Sequence, residues 1–152
     1  MPKQIIEEPA LIQDVLARGM VGYMAMAKKN EPYVVPLSYV AKNGNIFIHC
    51  ALKGRKLEFL LENPRVCFAV HQVDEIHRGA TACTSGIRYH SILAFGQARF
   101  VKDTQVKMEV CRWLAEKYAP GTIVDIEELR TIQVIEIVVE KVTGKRNVTR
   151  AR

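Results

Sequence analysis

Several signatures that would assign a function at once are missing from this sequence. Its 152 residues hold one tryptophan, and no two cysteines form a CxxC pair. It has no GxGxxG or Walker-type loop, which argues against nucleotide binding by those routes. No apolar run reaches the roughly 18 residues that span a bilayer, and the N-terminal MPKQIIEEPA lacks the apolar core of a signal peptide. A cytoplasmic protein with no membrane partner is therefore expected.

Cysteine and histidine are too widely spaced to predict a metal site. Three of the four cysteines (Cys50, Cys67, Cys83 and Cys111) lie in apolar runs, which favours reduced structural or site-lining thiols over disulfides. Neighbours in the series His71, His77, Cys83 and His90 stand six or seven residues apart, which matches no common zinc spacing. The sequence predicts no bound metal. A Ser-His-Asp or Cys-His hydrolase stays open, although no nucleophile-elbow pattern surrounds any serine or cysteine.

The positive charge is concentrated at the C-terminal end. Residues 141–152 carry five of the six net positive charges, so the body of the chain is nearly neutral. A solvated basic tail over about residues 145–152 is the expected form of such a segment, and nucleic acid is not a favoured partner. The length and the 49% hydrophobic fraction fit a single domain over residues 1–152.

The pattern along the first third of the chain predicts one helix and three strands. The helix runs from Pro9 to about Arg18, because proline suits the first helical position and Gly19 suits its end. The predicted strands are Gly22–Ala27, Pro32–Val40 and Ile46–Cys50, and Asn43-Gly44 is a strong hairpin signal. Short loops between these strands predict an antiparallel meander.

The rest of the chain completes a mainly β fold. The predicted elements are a helix Arg55–Asn63 with Leu57, Leu60 and Leu61 on one side, strands Val66–Val70 and Ser91–Val101, a helix capped by Asp103-Thr104 that runs to Tyr118, and a last strand Ile132–Val142. The polar stretch His71–Arg88 predicts a long loop, and Gly96 predicts a bend that helps to close a barrel. About six strands around few helices predict a six-stranded antiparallel β-barrel, closed or partly open.

The stretch Ile46–Lys56, IFIHCALKGRK, holds the strongest candidate site. Lys53, Arg55 and Lys56 stand at a predicted helix start, where free backbone N–H groups and cations together receive phosphate. Cations at that end oppose the helix dipole, which favours a bound anion over the alternative of a solvated helix start. His49 and Cys50 end the preceding strand and add an imidazole and a thiol, although such a histidine is often structural.

The segment VPLSYV, Val35–Val40, is predicted to form a second wall of the candidate site. Pro36 removes one backbone donor, so this strand is an edge, contains a bulge or faces a ligand. Tyr39 is predicted to stack on a flat heterocycle or to line its pocket.

These segments together resemble a known family. The ordered motifs are Pro-x-x-Tyr from Pro36, His-x-Ala-x-x-Gly-x-Lys from His49, Asn-Pro-Arg-Val from Asn63 and Tyr-x-Ser from Tyr89. In that combination the sequence resembles the pyridoxamine 5'-phosphate oxidase-like superfamily, and within it the nitroimidazole-resistance (Nim-like) branch. The resemblance runs from about Gly22 to Thr143-Gly144-Lys145.

The resemblance implies a split β-barrel homodimer that binds FMN at the subunit interface. It implies cofactor contacts from three segments: Val35, Pro36, Leu37, Ser38 and Tyr39; His49, Cys50, Lys53, Arg55 and Lys56; Tyr89 and Ser91. Arg55 and Lys56 correspond to the pair that holds the phosphate, and His49 to a histidine near the reactive face of the flavin. Residues that bind pyridoxamine phosphate are not recognisable, so vitamin B6 synthesis is not implied.

The leading hypothesis is an FMN-dependent, nitroreductase-like oxidoreductase of small molecules, with His49 as the catalytic residue. FAD or the deazaflavin F420 would also suit the fold. A flavin-binding module without turnover, a haem protein with His49 or His90 as axial ligand, and a polyanion binder acting through the basic tail are the alternatives.

Overall fold

The computed structural model describes residues 3–147 and has eight strands and three helices in that range. The elements are β1 (Lys3–Ile6), α1 (Pro9–Arg18), β2 (Gly22–Lys28), β3 (Glu31–Leu37), β4 (Val40–Lys42), β5 (Asn45–Ala51), α2 (Arg55–Glu62), β6 (Arg65–His77), β7 (Gly86–Val101), α3 (Thr104–Tyr118) and β8 (Ile132–Asn147). Short 3₁₀ turns cover Ala82–Thr84 and Glu128–Thr131. No helix within residues 3–147 is long and apolar enough to cross a membrane.

The strands form one antiparallel sheet in the order β3-β2-β6-β7-β8-β5-β4, and β1 pairs with the far end of β8. Strands β3 and β4 lie at opposite edges of this path, yet only Ser38 and Tyr39 connect them. The sheet must therefore curl until its two edges come together at these residues. Strands β3 and β4 do not pair there, so the barrel is not closed, and the fold is the mainly β split barrel that the sequence predicts.

Alternation along β5 divides the core into two parts. Ile46 and Ile48 point into the barrel and are fully buried in the larger core cluster. Phe47 points to the outer face, where it packs on Trp113 of α3 at 5.5 Å between ring centroids. Because side chains alternate along a strand, His49 lies on the same outer face as Phe47. The core packing thus directs the histidine towards α3.

Local turn and cap signals are confirmed. Asn43 and Gly44 have positive φ values of 53° and 78° in the β4–β5 hairpin, as a primed turn requires. The Asp103 side chain accepts hydrogen bonds from the backbone N–H groups of Gln105 and Val106 at the start of α3. Gly96, where the sequence predicts a bend, lies at a register shift between β7 and β8, and the sheet is not closed.

The predicted meander and the predicted long loop are both wrong. The hairpins β2–β3 and β4–β5 do not pair with each other and lie at opposite edges of the sheet. The stretch His71–Arg88 is mostly strand, because β6 and β7 continue as one long hairpin with a bulge at Val73/Glu75. The polar residues of this stretch do not alternate regularly with apolar ones, because the bulge changes which face of the sheet the following side chains occupy. The total of eight strands exceeds the predicted six, and β1 was not foreseen.

Two smaller predictions also need correction. Leu61 is 73% exposed, and Phe59 is buried on α2 together with Leu57 and Leu60. The last strand extends beyond Val142 to Asn147, so Lys145 and Arg146 belong to the sheet and not to a solvated tail. Residues 148–152 of the predicted basic tail lie outside the described residues.

Candidate functional site

The end of β5 and the start of α2 place His49 and Lys56 close together. The His49 side chain is exposed on the outer face, whereas Cys50 points back towards the core. Partial burial, and then the positive charge of Lys56, lower the pKa of His49. Burial raises the pKa of Cys50, and the charge of Lys56 partly offsets that effect. His49 is therefore a neutral imidazole near pH 7, and Cys50 is a thiol.

The start of α2 has the features of an anion receptor. Gly54 precedes the helix with a φ of 145°, and no side chain caps the first turn. Its carbonyl accepts from the N–H groups of Leu57 (3.0 Å) and Glu58 (3.3 Å). A helix start leaves its first N–H groups without intrahelical partners, here those of Arg55 and Lys56. Within residues 3–147, neither Lys53 nor Lys56 forms an ion pair.

Arg55 has another partner. Its guanidinium forms an ion pair with the Glu31 carboxylate and lies 4.9 Å from the ring centroid of Tyr33 and 5.5 Å from that of Phe59. These contacts hold the start of α2 against β3. The family resemblance implies that Arg55 and Lys56 both hold the phosphate. In the structure Arg55 is paired with Glu31, so Lys56 is the more available cation for an anion.

The segment Val35–Tyr39 does not form one ligand-facing strand. Val35 and Leu37 pack against the main core, and Pro36 is exposed on the edge strand β3, which confirms the edge. Ser38 lies beside His49 on the wall of a cavity. The prediction for Tyr39 is wrong, because its ring is fully buried and its hydroxyl donates to the Leu16 carbonyl at 2.6 Å.

The cavity beside His49 has a volume of about 550 Å³, within the range of small-molecule sites. Its walls come from Ser38 and His49, from the C-terminal half of α3 and from residues 119–132. The lining residues that sequence reasoning missed include Cys111, Tyr118, Asp125 and Glu128. The only signal in their region was the Pro120-Gly121 helix break, which predicts a turn and not a wall of a site.

Lys53 borders a separate cavity of about 400 Å³. Gly54 and Leu57 from the α2 region line it together with Phe100 and Gln133 from the barrel strands. The start of α2 thus borders a cavity other than the one beside His49.

Tyr89 and Ser91 lie far from His49 within one chain. Tyr89 pairs with Asn147 on β8, whereas His49 pairs with Val134 on the same strand. These two positions are thirteen residues apart on β8, roughly 40 Å along the strand at about 3.3 Å per residue. The chain itself therefore does not bring the Tyr-x-Ser segment to the His49 cavity.

Tyr89 and Ser91 share a sheet face with exposed apolar residues. Cross-strand pairing aligns Val34, Ala25, Cys67 and Phe95 in one row over β3, β2, β6 and β7. Val34 is 58% exposed and Phe95 is 37% exposed. Ser91 and Tyr89 stand four and six residues before Phe95 on β7, so they lie on the same face. We call this surface the apolar face.

Comparison with known proteins identifies the class of this barrel. The sequence model of the pyridoxamine 5'-phosphate oxidase family matches residues 8–146. The chain belongs to this family. A stretch of 82 residues is 27% identical to an uncharacterised protein of Rhizobium meliloti (strain 1021), and the match spans about half of each chain, 54% of this one and 53% of the relative.

Solved structures share the fold at low sequence identity. A candidate 5-nitroimidazole antibiotic resistance protein from Bacteroides thetaiotaomicron superposes with a TM-score of 0.85 at 21% identity, over 95% of this chain and 87% of that one. A FAD and haem binding protein from Mycobacterium smegmatis gives a TM-score of 0.85 at 16% identity, over 95% and 74%. A FAD-binding protein from Mesorhizobium loti gives 0.71 at 22% identity, over 97% and 100%.

Proposed function

We propose that this protein binds FMN and acts as a small-molecule oxidoreductase of the nitroreductase type. The observation that carries the proposal is the uncapped start of α2, where the charge of Lys56 acts on His49 and Lys53 borders a second cavity. Family membership and the flavin-binding proteins among the structural neighbours support it. When bound, the flavin supplies the electron transfer, and the chain supplies binding and orientation.

The residues around α2 fit a phosphorylated flavin. The backbone N–H groups at the helix start and the ammonium groups of Lys53 and Lys56 would hold the phosphate, since none of these cations is neutralised by a carboxylate within residues 3–147. Arg55 would contribute through the donors that Glu31 leaves open. Gly54 has open space where a Cβ would stand, so an anion can approach the backbone closely.

His49 is suited to position a substrate or the flavin edge at the cavity wall. Because its pKa is lowered, the imidazole is neutral at pH 7 and offers one donor and one acceptor nitrogen. Ser38 adds a hydroxyl on the same wall. A neutral histidine next to a flavin can donate a hydrogen bond without adding a positive charge.

Absorbance and mass spectrometry test the cofactor directly. The purified protein is expected to be yellow, with flavin absorbance, and the released compound is expected to have the mass of FMN rather than FAD or F420. Lys56→Ala should weaken FMN binding at least tenfold while leaving riboflavin binding unchanged, because riboflavin lacks the phosphate. Lys42→Ala serves as the matched control. Full FMN affinity in Lys53→Ala/Lys56→Ala would overturn the phosphate assignment.

Turnover needs a separate assay. NAD(P)H oxidation is expected when the FMN-loaded protein is given nitroaromatic acceptors, and His49→Ala should slow it while retaining the flavin. If the loaded protein oxidises neither reduced nicotinamide with any acceptor of a broad panel, a flavin-binding module without turnover replaces the oxidoreductase.

We infer that the active unit is a homodimer joined through the apolar face. Exposed Val34 and Phe95 lie on this face with Tyr89 and Ser91, so a second copy docked there would cover the apolar side chains and place the Tyr-x-Ser segment at the subunit interface. Val34→Glu should produce a monomer in analytical ultracentrifugation and lose flavin. Ile126→Glu, at an exposed position after α3, should leave the dimer intact. A Val34→Glu protein that remains dimeric would rule out this interface.

Haem is a second candidate ligand, favoured by the surroundings of His90. The Asp74 carboxylate lies 2.8 Å from Nδ1 of His90 without the alignment of a hydrogen bond, and this contact would leave Nε2 as the ring nitrogen for ligation. A haem protein is also among the structural neighbours. A Soret band in the purified protein that is lost in His90→Ala would favour this candidate over a protein that binds flavin alone.

A further inference from the structure

The carboxylate side chains that line the His49 cavity give it negative charge only. Asp125 and Glu128 both line it, and within residues 3–147 no lysine or arginine does. The remaining wall is mostly apolar, with Leu114, Ile123 and Leu129 among its members. A ligand that enters the cavity therefore meets an apolar body and two carboxylates.

Lys107 and Lys56 do not cancel this negative charge. The Lys107 ammonium, which affects Cys111, donates to the Ile132 carbonyl at 3.4 Å and is not part of the cavity wall. Lys56 acts on His49 from the α2 side and is likewise outside the wall. Under the proposed function, the phosphate of the cofactor would neutralise Lys56, which leaves the carboxylates as the dominant charges.

Local hydrogen bonds hold the Asp125 carboxylate and the backbone of Glu128, and both side chains are exposed at the cavity wall. Asp125 Oδ1 accepts from the backbone N–H of Glu127 at 2.9 Å, and the N–H of Glu128 donates to the Asp125 carbonyl at 3.2 Å. This turn leads into the 3₁₀ turn Glu128–Thr131. The pairing fixes Asp125 and Glu128 on the same turn, while neighbouring Glu127 forms an ion pair with Arg130 at 3.1 Å and does not line the cavity.

We propose that the cavity beside His49 selects neutral or cationic aromatic compounds and rejects anionic ones through Asp125 and Glu128. The identity of these compounds as substrates rests on the proposed function, but the binding preference does not. An apolar pocket of this size accepts a planar ring by area burial. The carboxylates then discriminate by charge, because burying an anion beside them is unfavourable without a compensating cation.

Ile123 extends the apolar wall at the rim. Its side chain is 90% exposed although it borders the cavity. A ligand in the cavity would cover it and gain apolar contact regardless of ligand charge. Substitution of Ile123 therefore distinguishes the contribution of apolar contact to binding from the contribution of ligand charge.

The test measures binding of three matched probes to the purified protein at pH 7 by isothermal titration calorimetry. The probes are 4-nitrobenzylammonium, 4-nitrobenzamide and 4-nitrobenzoate, which share a ring and differ in charge. The cation and the amide are expected to bind at least tenfold more tightly than the anion. Asp125→Asn/Glu128→Gln should reduce the cation-to-anion ratio to about threefold or less, and Glu127→Gln should leave it unchanged. Ile123→Ala should weaken all three probes by a similar factor.

The outcomes separate the two proposals. Equal or tighter binding of the anion, no binding of any probe, or a ratio that the double variant leaves unchanged would overturn the charge selection. The flavin content of each sample, read from its absorbance, tests the proposed function independently. Charge selection in a protein that contains no flavin and binds none would support the cavity assignment and contradict the oxidoreductase.

Discussion

The hydroxyl of Tyr118 bridges the backbone of Tyr39. The Tyr39 N–H donates to the Tyr118 oxygen at 2.9 Å, and that hydroxyl lies 2.8 Å from the Tyr39 carbonyl, to which it can donate. Tyr39 is in the two-residue connection at which the two edges of the barrel meet. Tyr118 is also on the wall of the His49 cavity. One side chain of α3 thus stabilises the seam of the barrel and shapes the candidate site.

Tyr118→Phe should therefore destabilise the protein by about 1–3 kcal/mol, because it leaves partly buried backbone groups of Tyr39 without a partner. Chemical denaturation measures the free energy of unfolding. Tyr23→Phe is the control, since Tyr23 is 45% exposed. Equal stability of the two variants would show that the bridge contributes nothing to folding.

The Gly96 position should not accept a side chain. A Cβ there would stand 2.0 Å from the Val138 carbonyl oxygen, so the β7–β8 pairing must shift to admit it. Gly96→Ala is expected to cost about 1–3 kcal/mol or more in unfolding free energy. Gly86→Ala, where nothing lies within 4 Å of the added carbon, should be close to neutral. A Gly96→Ala protein as stable as Gly86→Ala would contradict the tight register.

Removing Lys56 should raise the pKa of His49. Burial is the larger cause of the lowered value and the charge of Lys56 the smaller one, so Lys56→Met should move the pKa upward without restoring its ordinary value. NMR titration of the imidazole C–H signals measures the change. Lys42→Met, on the neighbouring strand, should have little effect. An unchanged or lower His49 pKa in Lys56→Met would show that the Lys56 charge does not act on His49, which would contradict the proposed site.

Lys117 should make the free energy of unfolding depend on pH in the alkaline range. Its Nζ lies 4.0 Å from the ring centroid of Tyr39, and it has no hydrogen-bond partner within residues 3–147. Burial lowers its pKa from 10.5 to about 8. Between these values the unfolded chain binds more protons than the folded one, so the Lys117 contribution to the unfolding free energy rises with pH through this window.

After allowance for solvent screening, this contribution is on the order of 1 kcal/mol. Denaturation at pH 7 and pH 10 should show it as a difference between the wild type and Lys117→Met. Lys102→Met, at an exposed position, should follow the wild type. Parallel pH profiles for the wild type and Lys117→Met would show that the buried ammonium has no such role.

Local signals in the sequence were sufficient for much of the fold. The helix starting at Pro9, the Asn43-Gly44 hairpin and the Asp103 cap are all where the residues predict them. Each depends on the conformational preference or hydrogen bonding of a few adjacent residues, so the sequence alone determines it. The uncapped, cationic start of α2 belongs to the same class.

Only the tertiary structure decided which of the candidate residues meet. Strand pairing places Tyr89 far from His49 in one chain, and the core buries Tyr39, although the motifs of all three residues predict one site. The ion pair with Glu31 distinguishes Arg55 from Lys56, and a wall that includes Asp125 reaches His49 across the sequence. These relationships depend on burial and pairing between distant segments, which local preferences do not specify.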